Sequence, residues 1–324
     1  MPEISVIICA YNAGRYVPRC IGSMLAQTFG DFEIIIVDDC STDGTLAVCR
    51  QYAALDKRIT VLHNSRNLGV SMSRQRAMEA ATGRYTIHAD ADDYADPDML
   101  QCLHRKAVET GADMVICDYY EECDGETSYK SQRPTSLAPR QVMTDLLSGR
   151  LHGSCWNKLI ARKLYTDNGI RFPEGINCLE DLFVCLQLLK CNPAVTYLPK
   201  AFYHYVRIAN SSITTTASTL DSLAQDRRLY DMTVALFARD AELQAAARTG
   251  IANIMVLRAF HSRRLSSARF RKEFYRFRND VKARRHKFPF NMFFYLSCVG
   301  LYRIMLPLHD TYMWLWKIKH RRKR

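Results

Sequence analysis

From Ile4 to about residue 120, short β-branched runs alternate with segments of helical period, and this alternation leaves few folds open to the chain. The runs "ISVIICAY", "FEIIIVDD", "ITVLHN", "RYTIHAD" and "DMVICDYY" read as strands, and helices are predicted over 17–27, 42–55, 71–81 and 97–110. Strands alternating with helices of this length imply βαβ units and a mostly parallel sheet covered on both faces. In such sheets ligands bind beyond the carboxyl ends of the strands, so strand ends are the first place to look for function.

Three of those ends are polar in the same way. "ISVIICAYN" stops at Tyr11 and Asn12, "FEIIIVDDCSTDGT" runs through Asp38 and Asp39 into a Ser-Thr-Asp-Gly turn, and "YTIHADADD" ends in Asp90, Asp92 and Asp93. Turn propensity and helix capping account for any one of them. Three together on one edge of a parallel sheet point to a ligand. Carboxylates this close repel and raise one another's pKa, so a positive partner is expected beside "DADD". The spacing suits Mg²⁺ or Mn²⁺, which takes one or two carboxylates and leaves its other positions to phosphate oxygens. No GxGxxG and no GxxxxGK[ST] is present, which removes the dinucleotide fingerprint and the Walker loop.

After about residue 125 the alternation weakens. A helix near 140–147 leads to "HGSCWNKLIARKLY", and "RFPEGINCLEDLFVCLQLLK" places Glu180 and Asp181 at the start of an apolar helix, where the macrodipole alone favours acids. The strand "AVTYLPKAFYHYVR" then enters a Ser-rich loop. A boundary is expected near 215–220, with helix almost throughout beyond it.

These stretches, in order, resemble family 2 glycosyltransferases, inverting enzymes of the GT-A fold, in particular the bacterial cell-surface polysaccharide type. The motifs are "SVIICAYN", "IIIVDDCSTDGT", "NLGVSMSR", "TGRYTIHADADD", "WNKLIARKLY", "RFPEG" and "LEDLFV", covering about residues 3–215. The resemblance implies a Rossmann-like, mostly parallel sheet with helices on both faces over 1–218. Its nucleotide-sugar half would be about 1–125 and its acceptor half about 126–218, followed by a helical, basic region over 219–324. It also implies that Tyr11 and Asp39 hold the nucleotide base beside Asn12, that Arg74 lines the donor site, and that Asp90 and Asp92 form a DxD element, Asp92 the metal ligand and Asp90 nearer the ribose. Asp93 is expected to cap the following helix. Asp181 matches the general base, with Glu180 beside it. Arg207 and Ser212 match loop residues that close on the diphosphate, an anion suited to the planar fork of arginine. Trp156 could stack on an acceptor sugar or belong to the core, and His88, His152 and His204 read as structural. "RQR" stands where the family often has "RNxG", so Gln75 and Ala77 put the close backbone packing there in doubt.

The expected function is metal-dependent, inverting transfer from a nucleotide-sugar, a UDP-sugar first, to a glycan or lipid-linked acceptor, with Mn²⁺ or Mg²⁺ as cofactor. The competing class is an inactive GT-A scaffold serving as a basic membrane- or nucleic-acid-binding protein. Net charge is +12, yet residues 261–324 hold 18 Lys and Arg against 3 acids, so the first 260 residues are slightly acidic and the basicity belongs to one segment. No nucleic-acid recognition motif occurs in the body of the chain. Twelve cysteines without a CxxC pair suggest a reducing compartment. The N-terminal run lacks the pattern of a signal peptide. The C-terminal apolar runs are broken by Arg303, Pro307, His309 and Asp310, so an interfacial helix at an anionic membrane is expected rather than a span, with Phe293, Phe294, Trp314 and Trp316 as apolar anchors. The expected location is cytoplasmic, peripheral at the inner face of the cell membrane.

Overall fold

The structure, a computed structural model, describes residues 1–207, 220–263, 265–283 and 290–321. Two compact units are present, Met1–Ala209 and Asn210–Arg324. The first begins with β1 (Ile4–Ala10), α1 (Val17–Leu25), β2 (Phe32–Asp38), α2 (Thr45–Leu55), β3 (Ile59–His63), α3 (Val70–Ala80) and β4 (Tyr85–Asp90). The strands lie in the order β3-β2-β1-β4, all parallel. β1 and β2 are buried almost throughout, as strands covered on both faces must be. On α1 the buried positions Val17, Cys20, Ile21 and Met24 recur at helical spacing and form its core face. Cys9 pairs with Asp90 and Ala10 with Asp38, so the three polar strand ends do share one edge.

Beyond β4 the sheet becomes mixed. β5 (Tyr94–Ala95), α4 (Met99–Thr110), β6 (Met114–Cys123), β7 (Glu126–Lys130), α5 (Pro139–Leu147), β8 (Lys158–Ala161), α6 (Lys163–Asp167), α7 (Glu180–Lys190) and β9 (Val195–Arg207) extend it to β4-β8-β6-β9-β5, with β7 paired to β6. β8 runs antiparallel to both β4 and β6, whereas β6 and β9 are parallel. The sheet is mostly parallel, as expected, and the short strands β5, β7 and β8 are its antiparallel members. β8 is four residues long and buried at every one, too short and too uniform to show a period of two.

The second unit is helical: α8 (Leu220–Leu236), α9 (Ala241–Ser262), α10 (Ser267–Phe274), α11 (Arg278–Ala283), α12 (Phe290–Leu296) and α13 (Tyr302–Arg321). Asp240 and Ser266 cap α9 and α10 by accepting from the backbone N–H groups of Leu243 and Arg269. Phe260, Phe270, Phe274, Phe277, Phe294 and Tyr302 fill its core.

One expectation about the C-terminal region is corrected. Phe293 and Phe294 are buried, Phe294 edge-on to Phe260, so neither can anchor in a membrane. Among the described residues one helical run, Asn291–Leu315, is long and apolar enough by length and composition to cross a membrane, with 25 residues and a most apolar 18-residue window of mean hydropathy 1.3. At Gly300, where φ is 118°, the backbone leaves the helical region and kinks, so this run consists of two helices rather than one straight rod. Nearly half of this run is nonetheless buried in the protein, 44% of its most apolar window.

Candidate functional site

Tyr11 and Asn12 leave β1 at the shared edge. Tyr11 is exposed, while Asn12 binds the next loop: its N–H donates to Ser41 Oγ at 3.0 Å and its Oδ1 accepts from the Thr42 N–H at 2.8 Å. Asp39 is buried and already accepts three protein donors, Asn64 Nδ2 (2.7 Å), the Leu68 N–H (2.8 Å) and the Gly69 N–H (2.8 Å). A carboxylate offers about four acceptor sites, so one remains on Oδ2. Gly69 leads into α3 at φ 84°, a backbone conformation that favours glycine, and a Cβ there would meet the Asn177 side chain.

α3 carries Arg74 into the centre of the site. Its guanidinium pairs with Asp90 Oδ1 at 2.8 Å and with both Glu180 Oε1 and Asp181 Oδ1 at the start of α7. Burial works against the charge of Arg74, but Asp181, Glu180 and Asp90 more than offset it and push its pKa up. The departure at "RQR" has a structural counterpart: Gln75 is buried and its Oε1 accepts the Phe172 N–H at 2.9 Å, while Ala77 is fully buried. Gln75 thereby holds the "RFPEG" loop against α3.

Three carboxylates on one guanidinium leave excess negative charge. Burial raises the pKa of Glu180 to about 7, with Arg74 opposing and Asp181 adding to the rise. Asp181 is raised by burial and by Asp90, against the lowering effect of Arg74 and of the Cys155 N–H, which donates to its Oδ2 at 3.1 Å. Asp92 is raised to about 6 by burial and then by Asp90. Its side chain makes no hydrogen bond among the described residues, although its backbone carbonyl accepts from Arg19 at 2.6 Å. A half-buried, unpartnered carboxylate beside a second one fits a hard divalent cation. Among the described residues no group of three or more His, Cys, Asp or Glu converges on such a cation. The rest of the coordination would therefore fall to phosphate oxygens and water.

Asp93 does not cap a helix, contrary to expectation. It is buried and accepts the Tyr203 hydroxyl and the Val206 N–H, each at 2.8 Å, tying the strand end to β9, while α4 begins only at Met99. Trp156 belongs to the core, which removes the acceptor-stacking alternative: 2% exposed, it stacks on Tyr203 at 4.6 Å and on Tyr205 at 5.6 Å. Trp156→Ala is expected to cost about 3–5 kcal/mol of stability, the range for truncating a buried large aromatic. Thermal unfolding checks this, and an unchanged melting temperature with a raised acceptor KM would return Trp156 to the acceptor site. Arg207 ends β9 on the surface, 3.6 Å from Glu121, and is not brought to the Arg74 cluster. Ser212 and the rest of its loop lie outside the described residues. His204, read as structural, has two acidic partners, Glu122 at 2.8 Å and Asp96 at 3.2 Å, and stacks on Tyr94.

Two supporting residues escaped the sequence reading. Lys158 is fully buried and donates to the carbonyls of His152 (2.8 Å) and Ser154 (2.7 Å) and to Asn157 Oδ1 (2.8 Å), folding the loop that presents the Cys155 N–H to Asp181. The only signal was a lysine inside the apolar "WNKLIA". The Tyr203 hydroxyl bridges the Asp90 N–H (2.8 Å) and Asp93, and nothing in "AFYHYV" distinguishes it from its neighbours.

The sequence model described as Glycosyl transferase family 2 matches residues 5–171. EpsH of Bacillus subtilis (strain 168), named as a glycosyltransferase, is 32% identical over 218 residues, which are 65% of this chain and 62% of EpsH. TuaG of the same organism, named for teichuronic acid biosynthesis, is 31% identical over 214 residues, 65% of this chain and 81% of TuaG. The alignment spans less than two thirds of EpsH and, at 63%, of EpsJ from the same strain. Among solved structures, S. aureus TarS 1–349 in complex with UDP-GlcNAc superposes with a TM-score of 0.67 at 21% identity, covering 95% of this chain and 92% of that one. The mannosyltransferase PcManGT from Pyrobaculum calidifontis, in complex with GDP-Man and Mn²⁺, gives a TM-score of 0.52 at 16% identity, covering 96% of this chain and 87% of that one. With a GT-A-like fold and a family match over half its length, the chain belongs to glycosyl transferase family 2.

Proposed function

We propose that the chain is a cation-dependent, inverting glycosyltransferase that moves a sugar from a nucleoside-diphosphate donor to a glycan or lipid-linked acceptor in cell-surface polysaccharide synthesis. The observation that carries this reading is the Arg74 cluster, which joins the acidic end of β4 to Glu180 and Asp181 while Asp92 stays unpartnered beside it. In this reading Tyr11 stacks on the base, Asp39 Oδ2 uses its remaining acceptor site for a ring N–H, and Arg207 and Ser212 meet the diphosphate. Residues 1–125 then serve the donor, and 126–218, apart from Arg207 and Ser212, the acceptor. The UDP-GlcNAc complex of TarS supports a UDP-sugar as first candidate, and the PcManGT complex supports Mn²⁺.

Asp181 supplies the base. Its carboxylate removes the proton from the acceptor hydroxyl as that oxygen attacks the anomeric carbon. The bond to the diphosphate breaks on the opposite face, so the configuration inverts without a covalent sugar-enzyme intermediate. A divalent cation held by Asp92, with Asp90 beside it, would supply charge neutralisation for the departing diphosphate. Glu180 and Arg74 hold Asp181 in place. The acceptor reaches the enzyme at the cytoplasmic face of an anionic membrane, where the basic C-terminal region provides the attraction.

Hydrolysis and transfer from a panel of UDP-, GDP- and dTDP-sugars, with Mn²⁺ and with chelator, tests the reading. Asp92→Asn is expected to abolish most of the cation-dependent donor binding with little loss of stability, because the carboxylate has no protein partner to lose. Chelator should mimic it. Full transfer activity in both the variant and the chelated wild type would remove the cation from the reaction.

A further inference from the structure

Helix α13 carries an apolar strip with no covering among the described residues. Ile304, Leu308 and Leu315, with Thr311, recur at spacings of four, three and four and so fall on one side of the helix, and Leu301 and Trp314 extend the strip. All five apolar residues are exposed, Ile304 at 58%, Leu308 at 49% and Trp314 at 62%. Tyr302, Met305, Leu306 and His309 point the other way into the core of the unit. The helix is thus apolar on both sides and sheltered on one.

Its surroundings are basic. Arg303 is exposed, its N–H donating to Ser267 Oγ at 3.0 Å, and Arg271 is exposed beside Gly300, where a Cβ would lie 3.5 Å from its Cδ. The sequence then runs directly into "KIKHRRKR", six Lys and Arg in eight residues. An apolar strip next to concentrated positive charge matches the two-part character of an anionic lipid surface, acyl boundary and charged headgroups. A spanning geometry would place the core-facing half of the helix, His309 included, in lipid and strip it from its packing.

We propose that the Leu301–Ile304–Leu308–Leu315 face of α13, with Trp314 at its border, is a monotopic membrane-docking face. It lies in the plane of an anionic bilayer surface, inserting apolar side chains to about the depth of the headgroup boundary. This deepens, and rests on, the membrane-face reading above. It keeps Trp314 and replaces Phe293 and Phe294, which are core, with Leu301, Ile304, Leu308 and Leu315. Attachment then has two separable parts, a salt-resistant apolar one from this face and a salt-sensitive one from Lys317 to Arg324.

The test uses the full chain, co-sedimented with phosphatidylcholine vesicles that contain phosphatidylglycerol and with phosphatidylcholine alone, at low and high salt. Ile304→Gln with Leu308→Gln, which leaves charge unchanged, should weaken partitioning into the anionic vesicles on the order of 10- to 100-fold and remove the salt-resistant remainder, with thermal unfolding unaltered. Deleting Lys317 to Arg324 should remove the salt-sensitive part and leave the remainder. Should the double variant unfold early, Trp314→Gln supplies the same comparison at one site. If wild type binds and the Gln variants match it, the face is wrong while the membrane reading stands. Absence of wild-type binding to either vesicle removes both. Retention of the chain in cell membranes after alkaline carbonate extraction would make α13 a span, and loss of a dimer on Gln substitution with vesicle binding unchanged would make the face a contact between copies; either result overturns the proposal.

Discussion

Arg74→Met is expected to lower transfer at least 10²-fold and to move the acid limb of the pH–rate profile to higher pH. The guanidinium is buried and is shared by Asp90, Glu180 and Asp181, so removing it leaves three carboxylates facing one another without a counter-charge. Breaking a buried ion pair by deleting one partner costs about 3–5 kcal/mol, so thermal stability should fall as well. The direction of the pH effect follows from the signs. Burial raises Glu180 and Asp181, and Arg74 lowers them; without Arg74 both rise further, and the base is ionised only at a correspondingly higher pH. Arg74→Lys should restore the position of the acid limb better than the rate, because an ammonium keeps the charge but lacks the planar fork that reaches two elements at once. A pH–rate profile of kcat/KM decides the matter. If the Met variant lost stability but its profile superimposed on that of wild type, Arg74 would be a structural strut with no electrostatic part in the reaction.

Asp181→Asn is expected to lower turnover by about 10² to 10⁴ while donor affinity stays close to normal, the pattern of a lost general base. An asparagine oxygen can still accept the Cys155 N–H, so the loop that Lys158 organises should survive, while the base and one negative charge on the Arg74 guanidinium are lost. Glu180→Gln is the matched comparison. It removes a charge from the same guanidinium but not the base, so its effect on turnover should be clearly smaller. Calorimetric titration of donor and steady-state transfer at saturating donor separate the outcomes. Equal losses in the two variants would mean that Asp181 and Glu180 act together on Arg74, and the base would have to be sought elsewhere.

Much of the N-terminal half of the sheet was readable because its physics is local. β1, β2 and β4 are buried on both faces, which forces continuous apolar runs, and a parallel sheet puts their carboxyl ends on one edge by construction. The acidic cluster at the end of "YTIHADADD" follows from those two facts. In the other half, β8 and β5 are four and two residues long, shorter than any period that would reveal them, and β8 reverses direction between two strands that run the other way. Trp156 shows the same limit: a tryptophan before an apolar strand has the same sequence whether it faces a sugar or two tyrosines, and its stacking on Tyr203 and Tyr205 depends on β9, some 50 residues further on.

The sequence by itself determined the class of fold, the edge on which ligands would gather and the acidic character of the site, because apolar periodicity and backbone direction are properties of neighbouring residues. Only the tertiary structure decided how those acids are used. Arg74 reaches Asp181 across 107 positions of chain, Lys158 shapes the loop that feeds the same carboxylate, and Asp93 is spent on β9 while Asp92 stays open. It also decided which side of α13 is core and which is surface. The reason is the same in each case: charge pairing and burial are set by distance in space, and a sheet or a helical unit brings together side chains whose separation along the chain carries no record of their contact.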